Sequence, residues 1–424
     1  MNKIGNFSRK MIYPSLLLCG FCIALPPFFK SISIFILALV LLLGGEFCRC
    51  KYPPKQIINI SNPLFWLIAL YLLYGIGMLW SKDLNYGFND LTIKLPLLIV
   101  PILMMFVPKR FIVKKYLWHY SLAFIAGLVI VLFSCLFEGL SKAISPEGFD
   151  SRYIFYSKLS GRFHVTYLSL FCCTALFLIY KIPFKHLFPQ LQKYTLLIKV
   201  SLFVMLNGFI VLLNARIAFI AMILLLLVLA FDLFVFKKAY LKGALMLSLL
   251  VSILFISSNI KNVNQRYGNL EKKMKIEQTS GEKKISDSVS QRTFIYSNIF
   301  ELINRSWLFG FGTGDSRNAL ENFYKEHQVS FGRYLNAHNQ ILQTAIAIGT
   351  VGVLCLMAVF VCFIPHFLNK EMFPFLFSLA IIGIVMMTEA ILERQSGVHF
   401  CAFAFCWFAS FFKNREYKKK KNRI

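Results

Sequence analysis

Charge is scarce in this sequence, and acid is scarcer still. Only 15% of the 424 residues are charged, against roughly a quarter in a soluble domain, which excludes a chain whose whole surface meets water. Lys and Arg number 46 but Asp and Glu only 19. No carboxylate pair stands where a glycosyl-enzyme intermediate needs one, and no acidic cluster in the long polar segment calls for a metal. The eleven cysteines lie in or at the ends of apolar segments. They form neither a disulfide framework nor a zinc spacing, because Cys48 and Cys50, like Cys172 and Cys173, lack a second Cys or His cluster. No small-residue cleavage site closes the apolar stretch after the basic MNKIGNFSRK, so the N-terminus is expected to be retained. No internal repeat is visible.

What is abundant is apolar: 58% of residues are hydrophobic and the mean hydropathy is +0.64. The expected fold class is an all-α polytopic membrane protein, because the apolar runs recur along nearly the whole chain at lengths approaching the roughly 20 residues of a bilayer-crossing helix. About twelve spans are expected, near 11–29, 31–48, 62–80, 95–107, 116–137, 163–180, 195–213, 216–236, 243–258, 338–364, 373–391 and 397–412. The net charge of +27 falls between these runs, which argues for membrane orientation and against nucleic acid. With the N-terminus inside, the short inner segments hold 24 Lys and Arg and the short outer ones nine, so the positive-inside rule assigns both termini to the cytoplasm. The domains expected are spans one to nine over 1–258, a long outer loop over 259–337, spans ten to twelve over 338–412, and a basic tail over 413–424. The tail's Lys418–Lys421 run suits anionic membrane lipid.

Ionisable residues at span ends that point into a cavity are the default functional candidates of such a chain. Arg216 marks the only polar break in the apolar run from 200 to 231. It reads either as a snorkelling residue at a hairpin turn or as a fixed cation for an anionic headgroup, since a guanidinium fork matches phosphate oxygens bidentately. His338 is read in the first turn of a helix beginning near Asn336, where the positive helix end would keep its imidazole neutral and basic. The bland alternative is a histidine that only caps that helix. Within the long loop, Phe294, Ile295, Ile299, Leu302 and Ile303 recur at helical spacing and predict an amphipathic helix lying on the membrane or on the spans. A second, polar helix is expected near 316–328. Between them, Gly310, Gly312 and Gly314 form a turn whose amides would be able to approach phosphate or sugar. Arg292 and Arg266 share that loop, and Arg162 with His164 opens the sixth span; each taken singly is more often a solvated charge.

The order of these pieces resembles the O-antigen ligase superfamily. It runs from Arg216 on a hairpin, through Arg292 opening a loop helix, to Leu308-Phe309-Gly310-Phe311-Gly312-Thr313-Gly314. Ala337-His338-Asn339-Gln340 and Gly349-Thr350-Val351-Gly352 complete it. The motif-bearing resemblance covers about 200–360. It implies a GT-C-like glycosyltransferase of the bacterial inner membrane, working without metal or other cofactor. The donor it implies is a glycan on undecaprenyl diphosphate, used at the periplasmic face, and the acceptor a lipid A-core sugar or another glycan. By the same resemblance His338 is the catalytic base and Arg216 and Arg292 bind the diphosphate, with Arg266 and Arg162 as less patterned partners. Gly310, Gly312, Gly314 and Asn339 then shape the site, Gly349 and Gly352 serve helix packing, and Glu389 orients the histidine or an arginine. O-antigen ligase is the leading expectation. Its rivals are O-antigen polymerase, protein O-oligosaccharyltransferase and, from another class, a polysaccharide or lipid transporter, which would more often show related halves.

Overall fold

The computed structural model describes residues 3–49, 59–145, 148–259, 277–279, 282–285, 288–331, 334–366 and 373–421; Arg266 lies outside them. Helix dominates, joined by a few strands two or three residues long. In chain order the longer helices are α1 (Lys3–Cys22), α2 (Pro27–Leu43), α3 (Pro63–Ile76), α4 (Leu84–Lys94), α5 (Pro96–Phe106), α6 (Lys114–Ala143), α7 (Val165–Lys181) and α8 (Thr195–Leu213). They continue with α9 (Arg216–Phe231), α10 (Tyr240–Asn259), α11 (Ser288–Arg305), α12 (Ser316–Glu326), α13 (Gln340–Val361), α14 (Phe373–Met386) and α15 (Gln395–Lys421). Among the described residues, seven stretches are long and apolar enough to cross a membrane: Pro63–Trp80, Leu84–Phe106, Lys114–Ala143, Pro189–Leu213, Arg216–Phe236, Tyr240–Asn259 and Gln340–Val361. Pro27–Leu43 and Val165–Lys181 are shorter apolar helices.

Local chemistry sets the helix ends. The Asn62 side chain accepts from Leu64 N with Pro63 at the first helical position, and Asp83 accepts from Tyr86 N to begin α4, the arrangement that satisfies otherwise orphaned amides. Between α8 and α9 the chain reverses at Asn214, whose left-handed φ of +46° is tolerated by Asn better than by most residues. The expected hairpin beside Arg216 is therefore present. The fourth span differs from expectation: α4 precedes α5, so the helical stretch begins at Leu84 rather than at 95. Its polar Asn85, Asn89, Asp90 and Lys94 hid it in the sequence, yet Asp90 and Lys94 are buried and pair with each other one turn apart.

Two cores form. The larger fills the bundle, where α1 packs on α2 and α6, α3 on α13 and α5, and α9 on α7 and α14. The smaller joins the loop helices to the start of α13 through Ile295, Ile299, Leu302, Leu320, Phe323 and Ile346. Ile295, Ile299 and Leu302 stand at i, i+4 and i+7 and are buried, so the expected amphipathic helix exists as α11 and lays its apolar face on this core. Each such side chain contributes about 1.5–3 kcal/mol.

One end of the bundle gathers polar contacts. Lys30 Nζ donates to Ser396 Oγ at 2.9 Å, Thr313 Oγ1 to Tyr74 O at 2.6 Å, and Lys94 Nζ to Glu393 Oε1 at 2.9 Å. Near that end α13 is broken at Ile348 and Gly349, the latter with φ +66°. A Cβ on Gly349 would lie 2.1 Å from Leu308 O, so the break admits the chain that follows α11.

Candidate functional site

His338 does not lie in the first turn of α13. Asn339 is the N-cap, its side chain accepting from Ile341 N and Leu342 N at 2.8 and 3.2 Å, and helix begins at Gln340. His338 precedes the cap with φ +48°, a left-handed conformation that costs a side chain other than Gly on the order of 1 kcal/mol. Neighbours impose it. The His338 amide donates to Asn336 Oδ1 at 3.1 Å, while its carbonyl accepts from Tyr296 Oη at 2.8 Å. Burial pushes the Tyr296 phenol up, so it stays a protonated donor.

The same tyrosine and the same cap reach a second segment, the turn between α14 and α15. Met387 O accepts from Tyr296 Oη at 3.3 Å and from Asn339 Nδ2 at 3.0 Å, and Leu392 N donates to Gln340 Oε1 at 2.7 Å. This turn carries Glu389. It lies past the end of α14 and is buried. Glu389 Oε2 stands 3.9 Å from His338 Nδ1 and 3.9 Å from an Arg292 guanidinium nitrogen, ion-pair separations longer than a hydrogen bond. Burial opposes its charge, but His338, His164 and Arg292 outweigh that and hold the carboxyl below its usual range.

His164 joins the cluster from the residue before α7, where its ring lies tilted by 38° against Tyr167 with centroids 4.7 Å apart. Burial lowers its pKa from 6.5; Glu389 opposes this, and Arg394, His338 and Arg292 reinforce it. Among the described residues nothing hydrogen-bonds to the buried His164 Nδ1, Tyr167 Oη, Arg292 Nε or His338 Nδ1. Buried polar atoms are nearly always satisfied, which sets these four atoms apart from most of the buried polar groups.

Of the residues singled out in the sequence, the structure brings His338 and Arg292 together across Glu389, and Asn339 supports both segments. Arg216 begins α9, half-buried. Cys173 Sγ contacts Ala218 O at 3.8 Å and Tyr180 hydrogen-bonds Asp232, so α7 and α9 run the same way, with the start of α9 level with the middle of α7. Arg162 is exposed and acts on Glu138, two residues before the histidine that does enter the cluster.

The glycine turn departs from its expected use. Gly310 N donates to Ser306 O, Gly312 N to Ala347 O at 3.0 Å and Gly314 N to Ser81 Oγ at 2.9 Å. These amides are consumed inside the protein and are not presented to phosphate or sugar. The turn shapes the site indirectly, by locking the loop into the break of α13. Asp315, at the N-cap position of α12, accepts from Lys82 N and Asp83 N at 2.8 and 2.9 Å and ties α12 to the start of α4.

Sequence reasoning passed over Tyr296 and the triad of the buried Lys94 and Asp90 with the half-buried Glu393, in which Lys94 Nζ also lies 4.7 Å from the Tyr74 ring centroid. The available signal was an Asp and a Lys four residues apart beside an apolar run. Tyr296 gave none.

The fold and this cluster define a class: a multi-pass helical membrane protein with histidines, arginines and a buried carboxylate gathered at one end. Residues 200–357 match the O-antigen ligase family, as a member of the O-antigen ligase and polymerase superfamily does. The matched stretch contains Arg216, Arg292, the glycine turn and His338. No curated protein matches the sequence. The family implies a glycosyltransferase-like enzyme with lipid-linked glycan substrates.

Proposed function

We propose that this protein is an O-antigen ligase, moving a glycan from undecaprenyl diphosphate to a lipid A-core sugar hydroxyl at the periplasmic face of the inner membrane. The observation that carries the reading is the convergence on Glu389 of His338 and Arg292, both of which come from the stretch that matches the family. His338 takes the proton of the acceptor hydroxyl. The freed oxygen bonds to the anomeric carbon of the donor as that carbon's bond to the diphosphate oxygen breaks, inverting its configuration. Undecaprenyl diphosphate leaves with the electron pair, and Arg292 and Arg216 offset its growing charge in a water-poor site. Glu389 lies close enough to steady the imidazolium that forms, as a buried carboxylate does beside a catalytic histidine. His164 adds a second ring whose charge acts on Glu389. Arg162, exposed beside Glu138, and Arg266 remain candidates for holding donor phosphate.

The test is transfer by purified protein in nanodiscs, with EDTA present, from a lipid-diphosphate glycan to a lipid A-core acceptor. Wild type should transfer; His338→Ala should lose about 10²–10⁴-fold, and Arg292→Ala and Arg216→Ala should lose comparable activity with the fold intact. Lengthening of the lipid-linked glycan without transfer to lipid A-core would replace ligase with polymerase. Full activity in all three variants would overturn the site.

A further inference from the structure

A groove of about 740 Å³ lies beside the loop helices, away from the His338 cluster. It falls within the size range of small-molecule sites. One wall is Trp80, whose ring is 39% exposed and is held edge-to-face by Phe309 at 6.2 Å. Asp83, Asn318, Asn322, Arg305 and Phe311 also line the groove.

Two cations, the exposed Lys82 and Arg305, stand among three carboxylates, Asp83, Asp315 and Glu326, so the lining is acidic on balance. Arg305 pairs with Glu301 at 2.7 Å and with Glu326 at 2.8 Å, and the Asp315 carboxylate accepts two main-chain amides. What the groove presents is one amphipathic aromatic face and planar groups that donate and accept hydrogen bonds. Such a lining suits neither a phosphate, which three carboxylates against two cations repel, nor an apolar chain. It suits a polyhydroxylated ligand, which stacks its C–H face on an aromatic ring and exchanges hydrogen bonds with carboxamides and carboxylates.

The groove shares α11 with the reacting cluster. Arg292 sits in the second turn of that helix and Leu302 and Arg305 in its last, which at 1.5 Å per residue separates the two by about 15–20 Å. Several linked sugars bridge such a distance. We propose that the groove is an oligosaccharide subsite, gripping sugars of the glycan chain several units from the bond being made. The identity of that chain rests on the glycan-transfer reading; the binding itself does not.

The experiment uses the full chain in nanodiscs and saturation-transfer NMR. The probes are maltohexaose, maltose, and a hexasaccharide fraction released by mild acid from lipopolysaccharide. At least one hexasaccharide should bind, and maltose should bind much more weakly. Asn322 is exposed on α12, so Asn322→Ala leaves the fold intact and should weaken hexasaccharide binding on the order of tenfold. Asn322→Trp, which fills the groove, should abolish it, and Trp80→Ala should act alike. In the transfer assay these variants should raise KM for long-glycan donors, leave kcat unchanged and leave single-sugar donors at wild-type rates. Binding of no oligosaccharide, or binding unmoved by both Asn322 variants, overturns the subsite. If wild type transfers nothing yet the Asn322 variants lose oligosaccharide, the subsite stands and the ligase reading falls. If transfer proceeds and the variants change neither binding nor KM, the subsite falls alone.

Discussion

His338 is held in a backbone conformation that its side chain disfavours, and that makes its role separable from its contribution to stability. At φ +48° a glycine is unstrained, so His338→Gly should keep or raise thermal stability by up to about 1 kcal/mol while transfer is lost. A calorimetric unfolding scan beside the activity assay checks both halves. His164 makes a pH prediction. Its folded pKa lies below 6.5, so below pH 6.5 the unfolded chain binds protons that the folded one resists, and stability is lost as pH falls. Glu389, lowered from 4.5, is charged in both states above pH 5 and adds no slope there. Unfolding temperature measured from pH 7.5 to 5 should fall in wild type and fall less in His164→Gln. His338 was legible in the sequence because an Ala-His-Asn-Gln run sits where a polar loop meets an apolar span. His164 was visible beside Arg162, but only packing shows which of the two enters the cluster.

At the scale of elements, the loop after α11 and the break in α13 form one joint. Gly349→Ala places a Cβ 2.1 Å from Leu308 O at a φ of +66°, so it should cost about 1–3 kcal/mol of stability and lower activity without touching a substrate group. Urea unfolding of the detergent-solubilised protein, set against the milder Gly208→Ala on α8, which meets nothing within 4 Å, would show it. The apolar spacing that predicts α11 and the polar break that predicts the α8–α9 hairpin follow directly from side-chain periodicity. The use of the glycine amides does not. Main-chain donors look the same in a sequence whether a ligand or another strand of chain accepts from them.

For the molecule as a whole, the Lys94 triad ties two distant parts of the chain together behind the cluster. Lys94 is fully buried between Asp90 and Glu393, and Glu393 shares its turn with Glu389. Lys94→Met leaves the buried Asp90 and the half-buried Glu393 without their cation, which should cost about 3 kcal/mol. Lys94→Met with Asp90→Asn and Glu393→Gln should recover much of that stability, as thermal unfolding of the single and triple variants would reveal. Sequence by itself determined the helical class, the apolar stretches, the amphipathic loop helix and the resemblance over 200–360, because each depends on composition, periodicity or local order along the chain. Only the tertiary structure decided that Glu389 stands between His338 and Arg292, that Tyr296 clamps the two segments carrying them, and that Lys94 is buried. Those contacts join residues from 42 to 299 positions apart, and a separation of that kind is set by how helices pack, which no local pattern of side chains encodes.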